Sequence, residues 1–139
     1  MKGIWKEREY VDMWSVNHAL FGASLAAVAI ALHIEVITGA LYAAVLFILW
    51  EFIEYVTKVG ETTYNQMTDI VVAMLGFFAF FIEPTILVAS VVIFLFFVLE
   101  TGGYLSKIQE ATTVREKSLN MLFMLSAWVY VVLFIKYFL

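Results

Sequence analysis

The sequence predicts an all-α integral membrane protein, built as a bundle of about five transmembrane helices in a single domain, residues 1–139. Of its residues, 64% are hydrophobic and only 14% are charged, whereas a soluble domain carries roughly 45–50% apolar and about 25% charged residues. Lipid must therefore be the solvent for most of the chain. The apolar runs are continuous and do not alternate with polar residues, which argues against the strands of a membrane barrel.

A transmembrane helix needs about 20 mostly apolar residues. The first apolar run follows a charged arm directly, without a small-residue cleavage site, so we expect a retained helix and not a signal peptide. The third and fourth runs are short and are separated by Glu83 and Pro84, so a re-entrant pair is the alternative for residues 67–101. The spans predicted on these grounds are 14–34, 38–57, 67–82, 85–101 and 119–138.

Two consecutive glycines, Gly102 and Gly103, follow the fourth span and predict its end. The polar stretch 102–118 then forms a cytoplasmic loop with room for a short surface helix. Lysine and arginine accumulate on the cytoplasmic side of membrane proteins, which predicts an N-terminus inside and a C-terminus outside. We expect a multi-pass protein of the cell (inner or plasma) membrane, with Lys136 alone on the outer side. The other seven of the eight basic residues fall on the inner side: Lys2, Lys6, Arg8, Lys58, Lys107, Arg115 and Lys117.

Four ionisable residues lie inside predicted spans and at one membrane depth. His18 lies near the inner end of the first span, Glu51 and Glu54 near the inner end of the second, and Asp69 in the first turn of the third. Such groups cost about 2.5–3.5 kcal/mol each on insertion scales, so they usually face protein or water. Glu51 and Glu54 share one helix face. We expect the four side chains to point between the first three helices.

Small residues accompany this polar group. Gly22 lies one turn after His18, and small residues allow close approach of neighbouring helices. The third helix carries Gln66, Asp69, Ala73 and Gly76 on one face. Other ionisable residues are expected near water: Glu100 at the inner interface, and His33, Glu35 and Glu83 at the outer helix ends.

The chemistry of the group favours a metal site. Three carboxylates suit hard divalent cations, and an imidazole shifts the preference toward manganese, iron or zinc. We predict His18, Glu51, Glu54 and Asp69 as ligands of a divalent metal ion of unknown identity. Each has a simpler interpretation: an ion pair of the glutamates with Lys58, a helix cap at Asp69, and a hydrogen-bonded buried imidazole at His18. The two histidines lie at opposite ends of one helix, so no haem is expected, and the absence of cysteine excludes thiolate ligands.

The stretch from Trp50 to Gly76 resembles the YjdF-type inner-membrane family and, more distantly, the VanZ-like family. The shared features are an aromatic-Glu-x-x-Glu-aromatic block, Trp50 to Tyr55, followed by Gln66, Asp69 and Gly76, and a histidine with a glycine four residues later. The Gln66-to-Asp69 spacing is one residue longer than the YjdF-type pattern. Thr63 and Ala73 stand where the VanZ-like pattern has Arg and Asn. The resemblance supports the choice of residues and implies no settled activity.

Three functions compete. The first is a divalent-cation site facing the cytoplasm, with metal-assisted chemistry on a lipid headgroup or lipid-linked phosphate if the protein is an enzyme. The second is a proton or small-cation transporter or channel. The third is a non-catalytic assembly protein whose polar cluster fixes helix register. The lipid bilayer is the expected partner, nucleic acid is not, no catalytic residue is assigned, and five short helices bury little alone, which favours a homo-oligomer.

Overall fold

The fold is known from a computed structural model that describes residue 5 and residues 11–57 and 62–138. Every regular element in these residues is a helix, as the apolar runs predict. Connections between successive helices are short, so neighbours in sequence run in opposite directions. The helices are α1 (Met13–Ala31), α2 (Val36–Thr57), α3 (Thr63–Phe80), α4 (Ile86–Glu110) and α5 (Val114–Phe138).

Four of the described helices, α1, α2, α4 and α5, are long and apolar enough to cross a membrane. The outward faces carry large apolar side chains, such as Leu41 at 62% exposure and Phe94 at 64%, which a soluble monomer would not leave in contiguous patches. The prediction of a polytopic helical membrane protein is confirmed. α3 is shorter, and its first two turns carry polar side chains, including Asn65 and Asp69. The inside-to-outside orientation stays a prediction, since Lys58 and most of the N-terminal arm lie outside the described residues.

Helix α1 is the centre of the bundle and contacts each of the other four helices. Ten of its nineteen residues are buried. α2 packs against α1 and α3, while α5 packs against α4 and the edge of α1. α2 buries one stripe that includes Ala43, Phe47, Glu51 and Glu54, spaced three to four residues apart as a single helix face requires. The remaining faces of α2 are left to lipid.

Helices α1 and α3 touch through their backbones. A Cβ atom added to Gly22 would lie 1.9 Å from the carbonyl oxygen of Ala73, and one added to Gly76 would lie 2.0 Å from that of Ala19. Glycine is required at both positions because any side chain would push the helices apart. The predicted role of the small residues is confirmed, and this contact places His18 of α1 beside α3.

Both ends of α1 are capped. The side chain of Asp12 accepts hydrogen bonds from the amides of Trp14 (2.8 Å) and Ser15 (3.2 Å). At the other end, His33 has a φ of 57°, its amide donates to Ile30 O, and the amide of Ile34 donates to Ala29 O. This is a Schellman motif with histidine where glycine is usual.

The predicted end of the fourth helix at Gly102 and Gly103 is wrong. α4 continues through both glycines to Glu110, and only residues 111–113 separate it from α5. The reason is packing: a Cβ atom at Gly103 would lie 2.4 Å from Cη2 of the Trp14 indole. This glycine makes room for a tryptophan inside a helix. Most of the expected polar loop 102–118 is therefore helical.

Candidate functional site

His18 is held in a defined orientation by its own helix. Nδ1 lies 2.9 Å from the backbone carbonyl oxygen of Trp14, one turn earlier. A carbonyl oxygen only accepts hydrogen bonds, so Nδ1 carries the hydrogen and donates it. The residue is 9% exposed. His18 is thus a buried imidazole with a hydrogen bond at Nδ1, as the simpler interpretation proposes. This hydrogen bond to Trp14 leaves Nε2 directed away from α1.

Nε2 of His18 faces the two glutamates of α2. It lies 3.5 Å from Oε1 of Glu51, and one ligand atom from each of His18, Glu51 and Glu54 falls within 4.8 Å of the others. The glutamates are buried, at 6% and 5% exposure. The structure therefore brings together three of the four predicted ligands. Lys58, the proposed ion-pair partner of these glutamates, lies outside the described residues.

The contact between Nε2 and Glu51 has a chemical consequence. With Nδ1 protonated, a neutral imidazole presents a lone pair at Nε2, and a carboxylate oxygen is also an acceptor. Two acceptors 3.5 Å apart repel each other unless a proton or a cation lies between them. The pair of side chains is thus arranged to share a positively charged species.

Asp69 occupies the other side of the imidazole. Its Oδ2 lies 4.0 Å from Nδ1 of His18 and accepts a hydrogen bond of 3.1 Å from Nδ2 of Asn65. Asp69 and Asn65 are both fully buried. Asp69 lies outside the group of converging ligand atoms. Asp69 is not the N-terminal cap of α3 either, because Thr62 occupies that position and Asp69 lies within the helix.

Asn65 is a member of the site that the sequence argument missed. The sequence places Gln66 on the same face of α3 as Asp69, but Gln66 is only half-buried. Asn65 precedes Asp69 by four residues, so the two side chains stack along one helix face. The four-residue spacing is the feature of the sequence that indicates Asn65 as a neighbour of Asp69.

The expectation that Glu100 lies near water is wrong. Glu100 is 9% exposed, and its Oε2 accepts a hydrogen bond from Nδ2 of Asn17 on α1. Asn17 precedes His18, so α1 presents one polar side chain to α4 and the next to α2 and α3. Glu51 of α2, Asp69 of α3 and Glu100 of α4 thus all lie beside His18 or Asn17 of α1. His33, Glu35 and Glu83, by contrast, are exposed at helix ends, as expected.

A cavity of about 130 Å³ lies beside this polar group, between α1, α2, α4 and α5. His18 and Glu54 form part of its wall, whereas Glu51 does not. Farther along, the hydroxyl of Tyr130 donates a hydrogen bond of 3.1 Å to Ser24. The polar residues that line the cavity are Asn17, His18, Glu54, Glu100, Tyr104, Ser126 and Tyr130.

Comparisons with known proteins add no assignment: no protein-family model, no curated protein and no solved structure matches this chain. The resemblance to the YjdF-type family therefore rests on its motif alone. The chain is a polytopic helical membrane protein with a buried His18, Glu51 and Glu54 cluster.

Proposed function

We propose that this protein binds a divalent metal ion through His18, Glu51 and Glu54. The observation that supports the proposal is the convergence of one ligand atom from each residue within 4.8 Å. Metal–ligand distances of about 2.1 Å in a tetrahedral site place neighbouring ligand atoms about 3.4 Å apart, and Nε2 of His18 is 3.5 Å from Oε1 of Glu51. Closing the site around an ion takes movements on the order of 1 Å for the remaining ligand.

Charge supports the same occupant. Removing an ionised carboxylate from water is costly, and the site contains two carboxyl groups that are nearly excluded from solvent. A divalent cation with a neutral imidazole brings the charge of the group to zero. The hydrogen bond from Nδ1 to Trp14 O selects the tautomer that offers Nε2 to the ion, which is how ligating histidines are usually oriented.

Asp69 has a different role in this proposal from the one predicted from sequence. It lies on the Nδ1 side of the imidazole, whereas the ion lies on the Nε2 side. We assign Asp69 to the outer shell, where its carboxylate lies beside the Nδ1 side of the ring. Loss of such a partner typically costs 10–100-fold in metal affinity.

The ion would face the cavity, because His18 and Glu54 line it. Three protein ligands and an open position are the arrangement of catalytic metal sites. The natural reaction class is metal-assisted chemistry on a lipid headgroup or a lipid-linked substrate that reaches the site through the bilayer, with the ion polarising an oxygen or activating water.

A proton relay is the second candidate function. It is favoured by the same two acceptor atoms, Nε2 of His18 and Oε1 of Glu51. A proton in place of the ion would satisfy Nε2 of His18 and Oε1 of Glu51 equally well, and intramembrane acid–histidine chains serve proton transport. The two candidates differ in their response to metal. A purely structural role, with the polar side chains fixing helix register, predicts no response to metal and no proton flux.

The deciding experiment measures metal content and metal-dependent melting temperature of the protein purified in detergent, stripped with a chelator and titrated with Mn²⁺ and Zn²⁺ separately. One equivalent is expected to bind, and an ion at one hundred times its Kd stabilises the folded state by about 2.7 kcal/mol. Glu51→Gln and Glu54→Gln keep the side-chain shape and should abolish this stabilisation. Asp69→Asn should weaken affinity about 10–100-fold without changing stoichiometry.

Glu35→Gln is the matched control, because it makes the same replacement at an exposed helix end and should leave metal binding unchanged. His18→Ala should fail to bind the ion, as should Glu51→Gln and Glu54→Gln. If the wild type binds no ion and shows no metal-dependent stabilisation, the metal proposal fails. Proton flux into liposomes, wild type against Glu51→Gln, then separates the relay from a structural role.

A further inference from the structure

Part of the cavity wall is formed by groups that the proposed function does not use. Asn17 and Glu100 line this part and are joined by the hydrogen bond from Nδ2 to Oε2. Both are more than nine-tenths buried. Two nearly buried polar residues, one from α1 and one from α4, thus form part of the cavity wall.

Asn17 has an acceptor that the protein leaves unused. Its Oδ1 is buried and receives no hydrogen bond from any residue that the structure describes. The amide orientation follows from chemistry, since the carboxylate of Glu100 takes the hydrogen bond from the NH₂ group. A buried acceptor without a donor destabilises the folded state. A ligand in the cavity that donates a hydrogen bond would remove that cost.

The rest of the lining is aromatic and, among the described residues, contains no lysine or arginine. The rings of Trp14, Phe21, Trp50, Phe96 and Tyr104 lie around the polar groups. Aromatic faces attract cations, more strongly when water is excluded. Carboxylates, an unused acceptor and aromatic faces together disfavour an anion and favour a positively charged donor.

We propose that this cavity binds a primary ammonium group, R–NH₃⁺, with one N–H directed to Glu100 and a second to Oδ1 of Asn17. The aromatic lining covers the remaining charge. A quaternary ammonium would satisfy the rings and leave Asn17 without a donor, so the site selects amines that keep N–H bonds. The inference uses Asn17 and Glu100 and does not require the metal ion.

The size of the cavity sets the size of the ligand. A volume of about 130 Å³ is well above the roughly 10–15 Å³ that a single water molecule requires, so the cavity has room for a small organic group. Ethanolamine, with four non-hydrogen atoms, is small enough for that volume. It is available either as a free small amine or as the end of a phospholipid headgroup.

One lysine of the protein is close to this region. Nζ of Lys107 lies 4.2 Å from the centre of the Trp14 ring and is within electrostatic reach of Glu100. Lys107 is not part of the cavity lining. The aromatic wall therefore already holds one ammonium group on the side of Lys107, while the cavity itself keeps the acceptor of Asn17.

The test uses the full chain in detergent with chelator present, so that the outcome does not depend on metal. Ethanolamine, its mono-, di- and trimethylated forms (the last is choline) and neutral ethylene glycol are compared by melting temperature and calorimetry. Ethanolamine should bind, ethylene glycol should not, and affinity should fall along the methylated series to a loss of about tenfold or more for choline. Equal binding of choline and ethanolamine, or no binding of either, would overturn the proposal.

Glu100→Gln retains an acceptor for Asn17 and removes the charge, and it should weaken ethanolamine binding at least tenfold. Glu35→Gln is again the control. Unchanged binding in Glu100→Gln would refute the assignment to this wall. Because the methylated series is measured on the wild type, the proposal is still tested if the variant does not fold.

Nanodiscs separate the two sources of the amine. If the lipid headgroup is the ligand, nanodiscs containing phosphatidylethanolamine should raise the melting temperature above that in phosphatidylcholine nanodiscs, and added ethanolamine should then have little effect. If a free amine is the ligand, ethanolamine should raise the melting temperature equally in both. Loss of the effect in Glu100→Gln is expected in either case, and absence of any effect in both lipids counts against the proposal.

Discussion

Replacement of Gly76 by alanine tests the backbone contact on which the bundle is built. The added Cβ would lie 2.0 Å from the carbonyl oxygen of Ala19, 2.7 Å from its carbon and 2.9 Å from its Cα. Ordinary contact at such an atom begins at 3.4 Å, so α1 and α3 must separate by about 1.4 Å at this point. The obstacle is backbone, which has no alternative rotamer.

Two opposing effects set the magnitude. Alanine in place of glycine inside a helix is favourable by roughly 0.5–1 kcal/mol, while overpacking in a tight interior costs typically 1–3 kcal/mol. We therefore expect Gly76→Ala to lower stability by about 1–2 kcal/mol. Separation of the helices should also lengthen the 4.0 Å distance between His18 and Asp69 and weaken metal binding.

The assay is thermal or SDS-induced unfolding of the detergent-solubilised protein, with Gly102→Ala as the matched control. Gly102 also lies inside a helix, but a Cβ there would meet its nearest atom, in Trp5, at an ordinary 3.5 Å. That variant should be neutral or more stable by up to about 1 kcal/mol. If Gly76→Ala is as stable as Gly102→Ala, the two backbones are not in contact and the account of the α1–α3 interface is incorrect.

Two further predictions concern the turn between α1 and α2. His33→Gly should raise the melting temperature by an amount equivalent to up to about 1 kcal/mol, because glycine adopts the left-handed conformation of this Schellman position without a steric penalty; a lower melting temperature would contradict the assigned turn. Hydrogen bonds from the amide (3.2 Å) and hydroxyl (3.0 Å) of Thr38 lower the pKa of Glu35 below its usual 4.5. The carboxylate should therefore stabilise α2 above about pH 4.5 and lose this effect as the pH falls through its folded pKa. An NMR titration measures that pKa directly, and the difference in melting temperature between wild type and Glu35→Gln should vanish at low pH; a difference that grows on acidification would refute the cap.

The sequence predicted the site's composition better than its arrangement. Depth along a helix follows directly from residue number and direction, so His18, Glu51, Glu54 and Asp69 were correctly placed at one level. Which side of an imidazole each carboxylate faces depends on a rotamer and on the hydrogen bond to Trp14, which no spacing rule contains. The separation of Asp69 from the two glutamates could not be anticipated for that reason.

The errors along α4 have a common physical origin. Local propensity, in which glycine ends helices, predicts a helix end at Gly102 and Gly103, whereas the tertiary contact with Trp14 requires a glycine at position 103. A helix that ends beside Glu100 would leave that residue near water. Once α4 continues to Glu110, Glu100 is an interior residue, and Phe96 and Tyr104 at i−4 and i+4 mark its buried face.

The central position of α1 has a consequence for how the protein is made. About half of its span is covered by other helices, against roughly a quarter for α2 and α4, and its polar groups find their partners late in the chain. Glu100, the hydrogen-bond partner of Asn17, is synthesised 83 residues later. During synthesis α1 therefore enters the bilayer before the helices that bury its polar side chains. These side chains become buried only when the later helices pack against α1. A chain that stops before α4 has all the proposed metal ligands and lacks the wall that encloses the cavity beside them.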